Sequence, residues 1–243
     1  MCGGIEKTES GYAETSECFK WTYGSGEWLR SPNISAMNVS RNQAGAVQLG
    51  DNFWMTGGKN ADSSNILSTE LRSSDGTWTF HDDLPLSMYG HCMARINNTH
   101  VISVGGHNSG GLKDLKKAYM YSISGGWQTL TEMGTKRNLP ACSVLGDNVF
   151  VAGGWNGGKI TSTEIYSISS NQWQAGPALP KESHQAKMIT IDNAIYHIGG
   201  QPTEKDILRL DPDDSTSSGW TWTKVGNLTM DKRGLDVIPI SEC

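Results

Sequence analysis

Three arginines, Arg41, Arg137 and Arg233, stand 96 residues apart. A guanidinium presents a planar fork of donors that matches a carboxylate. Three of them gathered at one mouth would grip an acidic ligand. Alternatively each belongs to a repeated unit and pairs with a carboxylate of a neighbouring loop. Trp155 follows Gly153-Gly154, where an aromatic ring can stack on a sugar or on an apolar side chain, or pack against the adjacent loop. His91 and His184 precede Gly-Gly pairs by 14 and 15 residues and look equivalent. Two imidazoles at a shared opening could hold a metal, but no Asp, Glu or Cys at ligand spacing joins them. They are therefore read as structural, as is His197, and no metal or cofactor is expected. Glu70 and Glu164, each behind Ser-Thr, are expected to satisfy loop N–H groups. Catalytic signatures are absent: there is no G-x-S-x-G elbow, P-loop or H-E-x-x-H, and Gly106-His107-Asn108-Ser109-Gly110 has no helix behind it.

The elements that position these residues come from a repeat. An apolar strand ending in Gly-Gly recurs at Phe53–Gly58, Val101–Gly106, Val149–Gly154 and Ile195–Gly200, in steps of 48, 48 and 46 residues. Gly3-Gly4 is a fifth copy cut in mid-strand. A tryptophan follows each of the four at 20 to 22 residues: Trp78, Trp127, Trp173 and Trp220. Before each pair stand a strand and a tight turn rich in Gly, Asp and Asn, which tolerate positive φ. After it comes a third strand, such as Ser162-Thr163-Glu164-Ile165. Nothing sustains a 3.6-residue apolar period. Four strands per unit of about 48 residues make a propeller blade, and stacked blades bury faces that one sheet alone leaves wet.

The Gly-Gly after an apolar strand, the later Trp, and the Arg before the next inner strand look like kelch repeats. In wording, Gly90-His91-Cys92-Met93 and Ser162–Tyr166 most resemble kelch proteins of animal extracellular type. The resemblance implies an all-β propeller of four-stranded blades, with the repeat Arg at the entrance of a central channel, where some members grip acidic side chains. It covers nearly the whole chain and implies little about the ligand. Copper-radical oxidases are similar in blade architecture but need further domains. The Glu–Asp–His run of iron-assisted specifier proteins is not found.

The last strand, Gly234–Ile240, lacks a Gly-Gly, and Gly3-Gly4 lacks a strand before it. Five blades closed by both termini are therefore expected: residues 234–243 with 1–32, then 41–86, 89–134, 137–180 and 183–228, blades 1 to 5 of one domain. The alternative is a piece of a six-bladed propeller. Cys92 and Cys142 fall on inner strands of neighbouring blades and could bridge. Cys2, Cys18 and Cys243 gather at the seam, where another bridge would staple the ring; small buried thiols are the other reading.

Hydrophobic residues make up 36% and charged ones 19% of 243 residues, with net charge −5. No basic footprint for nucleic acid appears, nor an apolar run long enough to span a bilayer. Met1-Cys2-Gly3-Gly4 shows no leader-like pattern. Four glycosylation sequons, at Asn33, Asn38, Asn97 and Asn227, are little above chance. The expected function is a non-catalytic module that binds a protein or peptide, acidic in character, at the loop face. Its site is expected to hold Arg41, Arg137, Arg233, Tyr89, His107, Trp155, His184 and Gln201. The alternatives are a glycan-contacting structural or matrix protein, using Trp155, Tyr89 and loop amides, and a sugar-active enzyme. An extracellular setting is expected, with the cytoplasm as the alternative.

Overall fold

A computed structural model describes residues 5–8, 11–21, 28–30, 35–202 and 205–229. Arg233, Cys2, Cys243 and the expected closing strand lie outside them. Near the N-terminus β1 (Ile5–Thr8) pairs with β2 (Gly11–Glu14), and β3 (Phe19–Trp21) with β4 (Trp28–Arg30). Four antiparallel meanders follow. Blade 2 comprises β5 (Gly45–Leu49), β6 (Asn52–Thr56), β7 (Thr69–Arg72) and β8 (Trp78–His81). Blade 3 comprises β9 (Tyr89–Arg95), β10 (His100–Asn108), β12 (Ala118–Ser122) and β13 (Gly126–Thr129), with a short β11 (Lys113–Asp114) paired to the end of β10. Blade 4 comprises β14 (Ala141–Leu145), β15 (Asn148–Ala152), β16 (Thr163–Ser167) and β17 (Gln172–Ala175). Blade 5 comprises β18 (Lys187–Ile191), β19 (Ala194–Ile198), β20 (Asp206–Pro212) and β21 (Trp220–Asn227). The innermost strands β5, β9, β14 and β18 lie against one another in turn.

The continuous apolar runs of the second strands follow from burial on both faces. Side chains alternate across a strand. In β15, Val149 and Val151 pack with Ile102, Val104 and Ala118 of blade 3, whereas Phe150 and Ala152 pack with Met188, Ile195 and Leu210 of blade 5. The core is thus a series of slabs between blades. A bridge between Cys92 and Cys142, with Cα atoms 5.9 Å apart, ties the inner strands of blades 3 and 4. Cys18 is buried and also disulfide-bonded.

The recurring tryptophan does more than fill space. The indole N–H of each donates to a backbone carbonyl in the segment leaving the preceding blade: Trp78 to Ser35 at 3.0 Å, Trp127 to Asp82 at 3.2 Å, Trp173 to Thr131 at 2.7 Å and Trp222 to Pro177 at 3.1 Å. The residue that performs this in blade 5 is Trp222, not the expected Trp220. The turn between β20 (ending at Pro212) and β21 (starting at Trp220) is longer than its counterparts in the other blades, which displaces the count from Gly-Gly. Trp220 instead packs edge-on against Phe150, centroids 5.3 Å apart.

Candidate ligand-binding rim

Each of blades 2 to 5 begins with a residue that bridges the one just after its Gly-Gly. The pairs are Asn42 with Lys59, Tyr89 with His107, Asn138 with Trp155, and His184 with Gln201. Trp155 N–H donates to Asn138 O at 2.7 Å and Asn138 N–H returns to Trp155 O at 2.9 Å. The next residue of each blade is left-handed: Gln43, Gly90, Leu139 and Gln185 have φ of 52°, 63°, 52° and 60°. That turn aims its peptide around the ring. Gly90 N–H donates to Gln43 O at 2.8 Å, Leu139 N–H to Gly90 O at 2.8 Å, and Gln185 N–H to Leu139 O at 3.1 Å. A belt of backbone hydrogen bonds therefore links successive blades at one face and holds the bridged pairs in an arc above it.

Side chains also touch across the arc. The Lys59 ammonium lies 5.1 Å from the Tyr89 ring centroid. Tyr89 is 5.1 Å from the His107 ring, and Trp155 is 5.8 Å from His184. His107 Nδ1 is 2.8 Å from an Asp114 carboxylate oxygen, which fixes the ring. Trp155 remains 38% exposed, both packed on its neighbour and open to a ligand. Tyr89, His107, Trp155, His184 and Gln201 are thereby brought to one rim. Lys59 and Asp114 join them. Lys59 was legible from its place after Gly57-Gly58. Asp114 depends on β11, a hairpin arm marked in sequence only by Gly110-Gly111.

Arg41 and Arg137 are placed otherwise, and their expected role as ligand anchors is corrected by their surroundings. Both side chains are 0% exposed. Arg137 donates to Gly153 O at 2.8 Å, Ser162 O at 2.7 Å, Ser162 Oγ at 2.9 Å and Glu164 Oε1 at 3.0 Å. Arg41 repeats this set on Gly57 O, Ser68 O, Ser68 Oγ and Glu70. Burial lowers both guanidinium pKa values and the partner carboxylate opposes that shift. The carboxylates finish the job expected of them. Glu164 accepts from the N–H of Gly134 and Thr135, and Glu70 from those of Asn38 and Val39. These groups hold the blade's lead-in segment and present nothing to a ligand.

The apparent equivalence of His91 and His184 also fails. His91 stands opposite Gly105 inside blade 3, whereas the counterpart of His184 is Tyr89. The hairpin from β9 to β10 has one residue more than the two-residue turns of the other blades, which shifts the count by one. His91 is buried, its Nε2 3.0 Å from Thr56 Oγ1. Burial, helped by the charges of Lys187 and Arg41, pushes its pKa down to about 3. Burial, opposed by a backbone hydrogen bond and by the charge of Asp206, takes His197 to about 4. Among the described residues no three His, Cys, Asp or Glu converge as metal ligands.

A family profile described as Kelch motif matches residues 136–180. The chain is similar to Kelch-like protein 40 of Xenopus laevis, 24% identical over 210 residues, and of Mus musculus, 27% identical over 210 residues. These alignments cover 84% and 79% of this chain and 33% of each relative. It is also 28% identical over 198 residues to Kelch-like protein 23 of Homo sapiens, covering 77% of this chain and 34% of that one. The chain thus spans about a third of the length of these relatives. Among solved structures it resembles that of YjhT, with TM-score 0.79, 13% identity, and coverage of 91% of this chain and 80% of that one.

Proposed function

Because the chain is built of kelch repeats stacked as a β-propeller, we propose that it is a non-catalytic protein-interaction module that docks its partner on the rim of Lys59, Tyr89, His107, Trp155, His184 and Gln201. The observation that carries this is Trp155. A large apolar ring kept 38% exposed beside polar neighbours, on a backbone already locked by two bridges, has the character of an interface anchor. The partner is a loop with an apolar side chain for Trp155 and a carboxylate for Lys59. The acidic preference now rests on Lys59, since Arg41 and Arg137 are spent within their own blades. The bridge between Cys92 and Cys142 supports an extracellular setting, where disulfides persist.

A photo-crosslinking residue at Asn156, exposed beside Trp155, and in a second sample at Ile123, tests the docking face. Ile123 is 57% exposed and lies at the turn between β12 and β13, at the opposite end of the blade. Protein crosslinks from 156, lost on Lys59→Glu and weakened by salt, are expected. Crosslinks confined to 123 would sink the reading. Binding insensitive to salt and competed by oligosaccharide would transfer the rim to glycan recognition. Trp155→Ala is expected to weaken partner binding at least about tenfold and to leave the thermal midpoint in place.

A further inference from the structure

Of the sequons, Asn33 lies outside the described residues, and the other three differ in what their side-chain amides do. Asn38 Nδ2 donates to Glu70 Oε2 at 3.0 Å and to Trp78 O at 3.3 Å. A glycosylated amide keeps one N–H, so a sugar there would break one of these bonds and intrude where Glu70 holds the lead-in of blade 2. Asn97 is arranged the opposite way. Its Oδ1 accepts from Thr99 N–H at 2.8 Å, Thr99 Oγ1 at 3.0 Å and His100 N–H at 2.9 Å. The oxygen is turned into the hairpin, and Nδ2 of this exposed residue has no acceptor among the described residues. Asn227 is likewise exposed, at the end of the outermost strand of blade 5, with no side-chain hydrogen bond among the described residues.

We infer that Asn97 and Asn227 are N-glycan acceptors and that Asn38 is not. The reaction needs a lipid pyrophosphate-linked oligosaccharide as donor. Asparagine Nδ2 bonds to its anomeric carbon, the bond from that carbon to pyrophosphate oxygen breaks, and Nδ2 releases a proton, with no change of oxidation state. The inference rests on the extracellular reading. The hairpin carrying Asn97 joins β9 to β10 at the end of the blade away from the rim, so its glycan would shield the far face and leave the rim open.

The full chain, made behind a secretion leader in animal cells, is digested with peptide N-glycosidase in heavy-oxygen water, which converts each glycosylated Asn to labelled Asp. Label at Asn97 and Asn227, with Asn38 unlabelled, is expected. Thr99→Ala keeps Asn97 and the two backbone N–H bonds to its oxygen, and should remove one glycan's mass. Unlabelled Asn97 in secreted protein whose bridge between Cys92 and Cys142 has formed overturns the inference and leaves the extracellular reading standing. Label at Asn38 in folded protein overturns it as well. Free thiols at Cys92 and Cys142 in the secreted product would instead overturn the extracellular reading.

Discussion

Arg137 and Glu164 show why a charge can be essential to a blade and useless to a ligand. Both are desolvated, and four of the guanidinium's bonds end inside the same repeat. Removing one partner of such a pair strands the other, at a cost of about 3–5 kcal/mol. Arg137→Met is expected to lower unfolding stability by that amount. Blade 3 holds Met88 and Tyr119 at the two corresponding places, packed with Leu84 and Leu115, so the double change R137M/E164Y should lose less than either single change. Urea unfolding of the three variants checks this, and additive losses would contradict it. His91 and His197 act through pH. Each is neutral in the fold, with pKa values lowered from 6.5 to about 3 and about 4. The unfolded chain takes up their protons first. Their contribution is therefore complete above about pH 6.5 and is lost as pH falls toward 3 or 4. By pH 5 each costs about 2 kcal/mol, before most carboxylates titrate. Urea midpoints at pH 7 and pH 5 should converge in H197Q relative to the parent; an unchanged gap would refute the assignment.

In blades 2 to 4 the first glycine of the pair lies against the next blade. Gly153 has φ +64°, and a Cβ there would sit 2.3 Å from Ser183 O. The same approach occurs at Gly57 with Met88 O, at 2.5 Å. The carbonyl cannot retreat, because it accepts the N–H of the second glycine, Gly154, at 2.7 Å. Gly153→Ala should therefore cost about 2 kcal/mol or more. Gly157, φ +71° with open space around it, should cost only the left-handed strain of about 1–2 kcal/mol. Thermal or urea unfolding of both variants compares them, and equal losses would mean that the contact between blades contributes nothing.

At the scale of the molecule, links between blades recur in three layers: the backbone belt at the rim, the apolar slabs, and the indole bonds at the outer edge. The bridge between Cys92 and Cys142 adds a covalent link to one seam, closing 50 residues of chain. Reduction, or paired change of both cysteines to alanine, is expected to lower stability by about 2–4 kcal/mol, read as a shift in urea midpoint; no shift would assign the bridge no structural role. Closure at five blades is proposed from the repeat of 46 to 48 residues. Deleting residues 234–243 should then lower the midpoint, and an unchanged midpoint would favour the six-bladed alternative.

The sequence alone determined the blade. Gly-Gly, the tight turns and the apolar second strands are local requirements of backbone geometry and two-faced burial, so they repeat visibly. It also holds a pattern whose meaning appears only in the fold. Blades 2 and 4 carry Arg with Glu, and their lead-ins begin Asn38-Val39 and Gly134-Thr135, whose N–H groups the carboxylates accept. Blades 3 and 5 lack both charges and begin Pro85 and Pro180, where proline has no N–H to offer. Only the tertiary structure decided which residues face outward. An extra residue in the turn after β9 makes Tyr89, not His91, the counterpart of His184, and the long turn between β20 and β21 passed the indole bond to Trp222. Spacing counts residues along the chain, whereas a ligand meets whatever register and burial leave at the surface.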